Sequence, residues 1–287
     1  MHTWRLRDRV LLLDARCLVM GIVNVTPDSF SDGGRFLPTE SAVAHGLKLV
    51  REGADLLDIG GESTRPGSQP ISLVEELQRI VPVVTALAQQ TTVPLSIDTS
   101  KSEVARACLQ AGAHLINDVT GLAGDPRMAD VVREFSAGVI LMHMQGVPAT
   151  MQLAPHYDDV IGDISRYFDG RMQALLSQGI PAETIMLDPG IGFGKTLEHN
   201  LTILARWSEF AVLGRPLCLG ASRKGLIGAI LQRPIEQRGP GSLAVAAFTL
   251  AQNAVQLLRV HDVADTRDLV VMWEALRNAR LGGPRGE

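Results

Sequence analysis

The order of apolar and polar residues along the chain predicts strands that alternate with helices. Eight short runs rich in Val, Ile and Leu recur, at 18–24, 55–60, 93–98, 113–117, 138–143, 184–188, 216–221 and 256–261. Most of the stretches between them have helical periodicity, as where Leu73, Leu77 and Ile80 fall mainly on one face of a helix. This alternation predicts parallel strands joined by crossovers, and continuous apolar strands fit a sheet buried on both faces.

The chain length favours a barrel for this sheet. The 287 residues give about 36 residues per strand–helix unit, which is usual for a barrel of this size. We therefore predict an α/β chain folded as a (β/α)8 TIM barrel. Residues 1–287 form a single domain in this prediction, because no Ser/Gly/Pro tract or charge block divides them. Segment 4–14 precedes the first of the eight apolar runs. Its alternation of apolar and polar residues predicts a hairpin at the barrel bottom. A doubly wound sheet is the competing architecture, which periodicity does not exclude.

Polar side chains follow the apolar runs at the point where each run ends. They are Asn24, Asp58, Asp98, Asn117 with Asp118, His143, Asp188, Ser222, and Arg259 with His261. In a (β/α)8 barrel the carboxyl ends of the strands converge on one face, which holds the active site. Polar residues also mark ordinary strand ends. Their presence at all eight ends nevertheless favours a polar pocket.

Composition narrows the class of protein. The formal charge is -4, with Lys+Arg 27 against Asp+Glu 31, so a nucleic-acid or membrane-surface partner, which favours a basic excess, is not expected. Three widely spaced cysteines predict neither a disulfide framework nor a zinc site. The beginning of the chain lacks the apolar segment of a signal peptide. We expect a cytoplasmic protein with reduced cysteines.

One uncharged stretch, 239–258, is long enough to resemble a membrane span. Glycine and proline open it, and Gln252, Asn253 and Gln256 interrupt it. These residues favour a buried helix followed by a buried strand.

Several long motifs identify a family. Residues 20–34 read MGIVNVTPDSFSDGG and residues 58–67 read DIGGESTRPG. Later motifs are SIDT at 96–99, INDV at 116–119, LMHMQG at 141–146, LDPGIGFGK at 187–195, GASRK at 220–224 and RVHDV at 259–263. The series resembles dihydropteroate synthases, in order and along essentially the whole chain, with no departure at a motif position.

The resemblance implies a reaction, its substrates and its metal. A dihydropteroate synthase condenses 6-hydroxymethyl-7,8-dihydropterin pyrophosphate with p-aminobenzoate, giving 7,8-dihydropteroate and pyrophosphate in folate synthesis. The family further implies a homodimer, Mg²⁺ and an SN1-like step. No Cys, Ser or Lys is placed as a covalent nucleophile with an adjacent base, which agrees with such a step.

The resemblance also assigns roles to the polar strand ends. Asp188 is expected to accept both parallel N–H groups of the 2-aminopyrimidine edge, since a carboxylate can form such a fork. Asn117 and Asp98 would contact the rest of the pterin, and Lys224 its carbonyl oxygen. Helix capping is the alternative explanation for these three strand-end residues, Asp98, Asn117 and Asp188.

The anionic groups of the substrates have their own expected ligands. Asn24 is the implied Mg²⁺ ligand, since an amide oxygen suits a hard cation that keeps most of its waters. The expected ligands of the pterin and its pyrophosphate include Thr64, Arg65, Arg259, Val260 and His261. Catalytic roles are expected for Asp98, Lys224, Arg259 and His261, with Asp98 near the developing positive charge.

The glycine-rich segment after Asp188 is assigned to the p-aminobenzoate site. It is not a P-loop, because Pro189 stands where the first glycine would be required. Phe193 is expected to line the pocket. Ser222 is expected to receive the carboxylate of p-aminobenzoate, with helix capping as its structural alternative. Arg223, His143 and His156 are interpreted as structural.

Two other functions remain open from the sequence. One is a methyltransferase that uses methyltetrahydrofolate on a similar pterin-binding barrel. It would not need pyrophosphate ligands such as Asn24, Thr64 and Arg65. The other is a catalytically silent homologue that only binds a pterin.

Overall fold

The strands of the described chain form a small hairpin and a parallel barrel. A computed structural model describes residues 3–13, 16–25, 37–64 and 67–280, with residues 37 and 38 described for their backbone alone. The hairpin strands are β1 (Thr3–Leu6) and β2 (Arg9–Leu12). The barrel strands are β3 (Leu18–Asn24), β4 (Leu56–Gly60), β5 (Leu95–Asp98), β6 (Leu115–Asp118), β7 (Gly138–Met142), β8 (Ile185–Asp188), β9 (Cys218–Leu219) and β10 (Leu257–Val260).

Helices follow the barrel strands, as the alternating sequence pattern predicts. Within the described residues they are α1 (Leu37–Arg51), α2 (Leu73–Gln90), α3 (Ser102–Gln110), α4 (Met128–Phe135), α5 (Val160–Ser177), α6 (Leu197–Ala205), α7 (Gly225–Leu231), α8 (Gly239–Leu250) and α9 (Val263–Arg280). The side chain of Ser72 caps α2 by accepting from the backbone N–H of Glu75. On α2, Ile80, Val84 and Leu87 are buried on one face, against the sheet.

The eight parallel strands close into a barrel, which confirms the predicted (β/α)8 architecture over the doubly wound alternative. Their order is β8-β7-β6-β5-β4-β3-β10-β9. The first and last strands in this order, β8 and β9, are joined by a parallel bridge between Leu187 and Leu217, which closes the barrel. Strand β9 is only two residues long, shorter at both ends than the predicted run 216–221. At its beginning, proline at 216 has no N–H for the ladder. Pro216 instead contributes its carbonyl oxygen, which accepts from Leu187 at 2.9 Å.

The hairpin covers the lower end of the barrel, as the sequence predicts. Trp4 and Leu6 are fully buried and pack with inward-facing residues at the lower ends of the barrel strands. The indole of Trp4 donates to the carbonyl of Thr184 at 2.8 Å. Strand β7 begins with Gly138, where an added Cβ would lie 2.3 Å from a methyl carbon of Leu6. Only glycine permits this approach of hairpin and barrel.

The uncharged stretch 239–258 folds as helix α8, a short connection and strand β10. The strand is buried as predicted, but the prediction of a buried helix is wrong. Ala246, Thr249 and Leu250 are buried, whereas Phe248 is 57% exposed. Across the described residues no helix is long and apolar enough to cross a membrane.

Candidate active site

The upper layer of the barrel interior is polar, while the lower layer is apolar. On β4, Leu56 belongs to the apolar cluster at the hairpin and Asp58 lies two residues further up the same face. The same change occurs from Leu115 to Asn117 on β6 and from Met186 to Asp188 on β8. Because alternate residues share a face of a strand, the carboxyl end of the barrel collects these polar groups.

Arg259 connects two carboxylates across the barrel. Its Nε donates to Oδ2 of Asp58 at 2.6 Å, and its terminal Nη2 donates to Oδ2 of Asp98 at 2.8 Å. These two carboxylates raise the pKa of Arg259 above its ordinary value, against the opposing effect of burial. Burial raises the pKa of Asp98 to about 7; Arg259 opposes this shift and Asp58 adds to it.

Asn117 also contacts the buried carboxylate of Asp58. Its Nδ2 donates to Oδ2 of Asp58 at 3.0 Å, and neither side chain is more than 5% exposed. Neither Asn117 nor Asp98 caps a helix. Helix α3 begins at Ser102 after Lys101, with no side-chain cap, so the capping alternative for Asp98 is wrong.

Asp188 ends β8 with one carboxylate oxygen held by its own turn. Oδ1 accepts from the backbone N–H of Gly190 at 2.8 Å. An added Cβ on Gly220, on the adjacent chain segment, would lie 3.4 Å from Oδ2. Glycine there leaves space beside this oxygen. Burial raises the pKa of Asp188, and the charge of Lys224 opposes that shift.

Lys224 and Phe193 lie against each other beside Asp188. The ammonium of Lys224 is 4.5 Å from the centroid of the Phe193 ring and donates to the carbonyl of Ile191 at 2.5 Å. Burial lowers the pKa of Lys224 to about 8, although Asp188 opposes this shift. An ammonium over an aromatic face is attracted by the ring quadrupole. Phe193, which is assigned to p-aminobenzoate, and Lys224, which is assigned to the pterin, therefore line the same wall of the site.

The glycine-rich loop is held against the end of β7. Gly190 has a φ of 72°, and an added Cβ would lie 2.0 Å from the carbonyl oxygen of His143. Gly194 has a φ of 60°, and its added Cβ would lie 2.3 Å from the carbonyl oxygen of Gln145. Both positions thus require glycine, for its backbone freedom and its lack of a side chain.

Sequence reasoning missed the role of Lys195 in this loop. Lys195 is buried, and its Nζ is 3.0 Å from Nδ1 of His143 and donates to the carbonyl of Phe193 at 3.0 Å. Burial lowers the pKa of Lys195 to about 7 and that of His143 to about 3. The available signal is a lysine that ends a glycine-rich run, at 190–195.

Ser222 and His261 contact each other at the adjacent strand ends. Their Oγ and Nδ1 atoms are 3.0 Å apart, and the backbone N–H of His261 donates to the same hydroxyl at 3.2 Å. Ser222 is not a helix cap, because α7 begins at Gly225 with Lys224 before it. The neighbouring Arg223 forms an ion pair with Asp262, in keeping with a structural role.

The other predicted ligands differ in position. Asn24 is the last residue of β3 and is partly exposed beside Gly60, its partner on β4. Thr64 is partly exposed, whereas Arg65 lies outside the described residues. The side chain of Val260 is buried in the core between the barrel strands and the helices. Only the backbone of Val260 therefore faces the region that contains Arg259 and His261.

A partly buried charge network, centred on Glu76, supports the base of the loop after β4. The ammonium of Lys101 contacts Oε2 of Glu62 at 2.5 Å and Oε2 of Glu76 at 2.6 Å. Glu76 is fully buried on α2 and also accepts from the hydroxyl of Thr99. Arg79 donates to the carbonyl of Gly61 at 2.8 Å. The first two residues of the loop are therefore anchored to α2 and to the end of β5.

Comparison with known proteins assigns this barrel to a class. The family model described as pterin binding enzyme matches residues 20–261. Dihydropteroate synthase of Escherichia coli K12 is 47% identical over 262 residues, which cover 91% of this chain and 92% of that protein.

Solved structures agree with this assignment. Xanthomonas albilineans dihydropteroate synthase with 4-aminobenzoic acid is 48% identical, with a TM-score of 0.88, over 94% of this chain and 96% of that one. The same enzyme in complex with 7,8-dihydropteroate gives 45% identity and a TM-score of 0.84, over 94% and 97% of the two chains. The chain therefore belongs to the pterin-binding enzymes and, within them, to the dihydropteroate synthase family.

Proposed function

We propose that this chain transfers a dihydropterin-methyl group from its diphosphate ester to the amine of p-aminobenzoate. One observation carries the proposal. The acceptors Asp98, Asn117 and Asp188 converge with two partly buried cations, Lys224 and Arg259, at the carboxyl end of one barrel. The carbon–oxygen bond to pyrophosphate breaks, a carbon–nitrogen bond forms, and the amine loses a proton. The products are 7,8-dihydropteroate and pyrophosphate.

The pterin ring binds among the acceptors in this proposal. Oδ2 of Asp188 faces the space left by Gly220, and Asp188 accepts the N–H groups of the 2-aminopyrimidine edge. Lys224, which lies beside this carboxylate, donates to the pterin carbonyl oxygen. Asn117 and Asp98 contact the remaining ring nitrogens. In a pocket without water such charge-assisted hydrogen bonds are strong and selective.

The leaving pyrophosphate is held by Asn24, Thr64, Arg65, Arg259 and His261, with the backbone at Val260. No group of three or more His, Cys, Asp or Glu suited to a metal occurs in the described residues. A single amide oxygen, as at Asn24, still fits Mg²⁺, which takes its other ligands from water and phosphate. When bound there, Mg²⁺ would neutralise charge on the leaving pyrophosphate.

The described residues favour a dissociative, SN1-like step. Departure of pyrophosphate leaves positive charge on the methylene carbon, which the electron-rich dihydropterin shares. Asp98 lies at the edge of the pocket with one oxygen on Arg259, and its carboxylate stabilises this charge. The amine of p-aminobenzoate then attacks.

The p-aminobenzoate site lies between Phe193 and Ser222. The Phe193 ring is fixed under Lys224, and the hydroxyl of Ser222 contacts His261. Ser222 therefore connects the carboxylate of one substrate with the pyrophosphate site of the other. Helix α7 has only seven residues, so we assign the carboxylate to the side chain and not to a helix dipole.

A pyrophosphate-release assay tests the proposal. With both substrates and Mg²⁺ we expect pyrophosphate and dihydropteroate in equal amounts, and no dihydropteroate when p-aminobenzoate is omitted. Absence of turnover with bound pterin would indicate a silent homologue, and methyl transfer from methyltetrahydrofolate would indicate the methyltransferase alternative. Full turnover after thorough chelation would remove Mg²⁺ from the reaction.

We further propose a cytoplasmic homodimer with one pterin-binding domain per chain. Exposed apolar side chains on the adjoining helices α7, α8 and α9 support the dimer. They are Ile230, Leu231, Phe248, Val271, Met272 and Leu276. An apolar area of this kind marks an interaction surface. Sedimentation of the wild type and of Phe248→Glu tests it, and a monomeric wild type would contradict it.

A further inference from the structure

Asp58 is a polar group inside the barrel that has no role in the function proposed above. Its side chain is fully buried on β4. Its Oδ2 accepts from both Asn117 and Arg259, at 3.0 and 2.6 Å. Its Oδ1 has no hydrogen-bond partner among the described residues. One carboxylate therefore joins two residues that are assigned to the pterin substrate.

The chemistry of a carboxylate determines the orientation of the Asn117 amide. An ionised carboxylate only accepts hydrogen bonds, so the NH₂ group of Asn117 must face Asp58. The amide oxygen then points away from Asp58. A rotated amide would place two acceptors against each other in a buried site, which is unfavourable. The guanidinium of Arg259, which cannot lose its proton in a protein, donates to the same oxygen of Asp58.

The same carboxylate restrains Arg259. The guanidinium is held by Asp58 through Nε and by Asp98 through Nη2. Two contacts made through different nitrogens of a planar group restrain both its position and its plane. Removing one of them leaves the group free to rotate about the other.

We propose that Asp58 is a positioning residue for the pterin site. It presents the oxygen of Asn117 to the ligand as an acceptor and fixes the plane of Arg259. The site thereby selects a ring that offers an N–H group to Asn117. This inference rests on the proposed function, since it takes Asn117 as a ligand of the pterin ring and Arg259 as a ligand of the pyrophosphate in the same substrate.

The variant Asp58→Leu keeps roughly the volume of the side chain but removes the oxygen that accepts from both Asn117 and Arg259. The amide of Asn117 then has no acceptor that fixes its orientation and can turn a donor towards the pterin, and Arg259 keeps only its contact with Asp98. We expect the KM for the pterin substrate to rise about tenfold to a hundredfold, because a buried hydrogen bond is lost. The KM for p-aminobenzoate should stay within about twofold. A purely structural role would not separate the two constants.

Ser96→Ala is the matched control. Ser96 is the partner of Asp58 across β4 and β5, is fully buried, and has an Oγ without a hydrogen-bond partner among the residues described. It lies at the same depth but outside the network. We expect unchanged KM values for both substrates, so a rise equal to that of Asp58→Leu would overturn the proposal.

A double-mutant cycle tests whether Asp58 acts through Asn117. Binding of the dihydropterin pyrophosphate is measured by calorimetry for Asp58→Leu, Asn117→Ala and the double variant. Because Asp58 also contacts Arg259, we expect the double variant to lose more affinity than Asn117→Ala but less than the sum of the two single losses. Fully additive losses would overturn the proposal. If Asp58→Leu does not fold, Asn117→Ala must still lose the pterin affinity, and undiminished affinity would overturn it. A wild type that binds no pterin would instead refute the proposed function.

Discussion

At the scale of single residues, the two oxygens of Asp188 have different tasks. Oδ1 accepts from the backbone of Gly190, and Oδ2 faces the space beside Gly220. In Asp188→Asn the amide oxygen can keep the turn, so the fold should remain. The NH₂ group would then face the N–H groups of the pterin. We expect pterin binding to weaken by at least about 1–3 kcal/mol. Calorimetry measures this loss, with the thermal midpoint as the control for folding, and wild-type affinity would refute the fork.

The pH dependence of the reaction should reflect two partly buried groups of the site, Asp98 and Lys224. Asp98, with a pKa of about 7, stabilises the cation only as a carboxylate, so kcat/KM should rise as the pH increases through 7. Lys224, with a pKa of about 8, donates best when protonated, so kcat/KM should fall as the pH increases through 8. In Lys224→Arg the cation does not titrate in this range, and the alkaline limb should disappear. An alkaline limb that persists in this variant would contradict the assignment.

The sequence identifies strand-end residues but not their partners. Asp98, Asn117 and Asp188 could be predicted because each ends an apolar run. The contacts of Asp58 could not, since it lies 59 residues from Asn117 and 201 residues from Arg259 along the chain. Only the closed barrel brings these residues together.

At the scale of elements, the loop after β4 depends on the Lys101 network. In Lys101→Met the buried carboxylate of Glu76 would lose its cation. We expect unfolding free energy to fall on the order of 1–3 kcal/mol. Lys48→Met, which removes an exposed pair with Glu52, should cost about 0.5 kcal/mol or less. Urea unfolding compares the two variants, and equal losses would show that the network is no stronger than a surface pair.

The two loops after β3 and β4 should couple the substrates. Their sequences are rich in Gly, Pro, Ser and Asp, and ordering such a loop costs conformational entropy. Residues 26–36 and 65–66 lie outside the described residues. We predict that p-aminobenzoate binds appreciably only with pyrophosphate present. Its affinity is measured alone, with pyrophosphate, and with pyrophosphate and Mg²⁺. Equal affinities in all three would show a preformed pocket.

Helix boundaries were predicted less well than strands. Ser222 has the residue type of a cap, yet its hydroxyl contacts His261 and the helix begins three residues later. The competing partner comes from β10 and is invisible to local sequence. Helix α8 was expected to be buried because it lacks charge, but composition does not show which face meets a neighbour.

At the scale of the whole molecule, the hairpin seals one end of the barrel. Trp4→Ala would leave a cavity among the lower strands and an unpaired carbonyl at Thr184. We expect a loss of about 3–5 kcal/mol of unfolding free energy. Val10→Ala, on the exposed face of the same hairpin, should change it by less than about 0.5 kcal/mol. Equal midpoints for the two variants in urea would show that the hairpin is not part of the cooperative fold.

The order of the strands also governs how the chain can fold during synthesis. The first barrel strand, β3, pairs with β4 on one side and with β10 on the other. While residues 257–260 are still being made, β3 and β9 present unpaired edges with apolar side chains. Contacts between distant parts of a chain form slowly, and open edges invite association with other chains. The polypeptide therefore passes through its most aggregation-prone stage just before its last strand leaves the ribosome, when nearly all of the active site has already been synthesised.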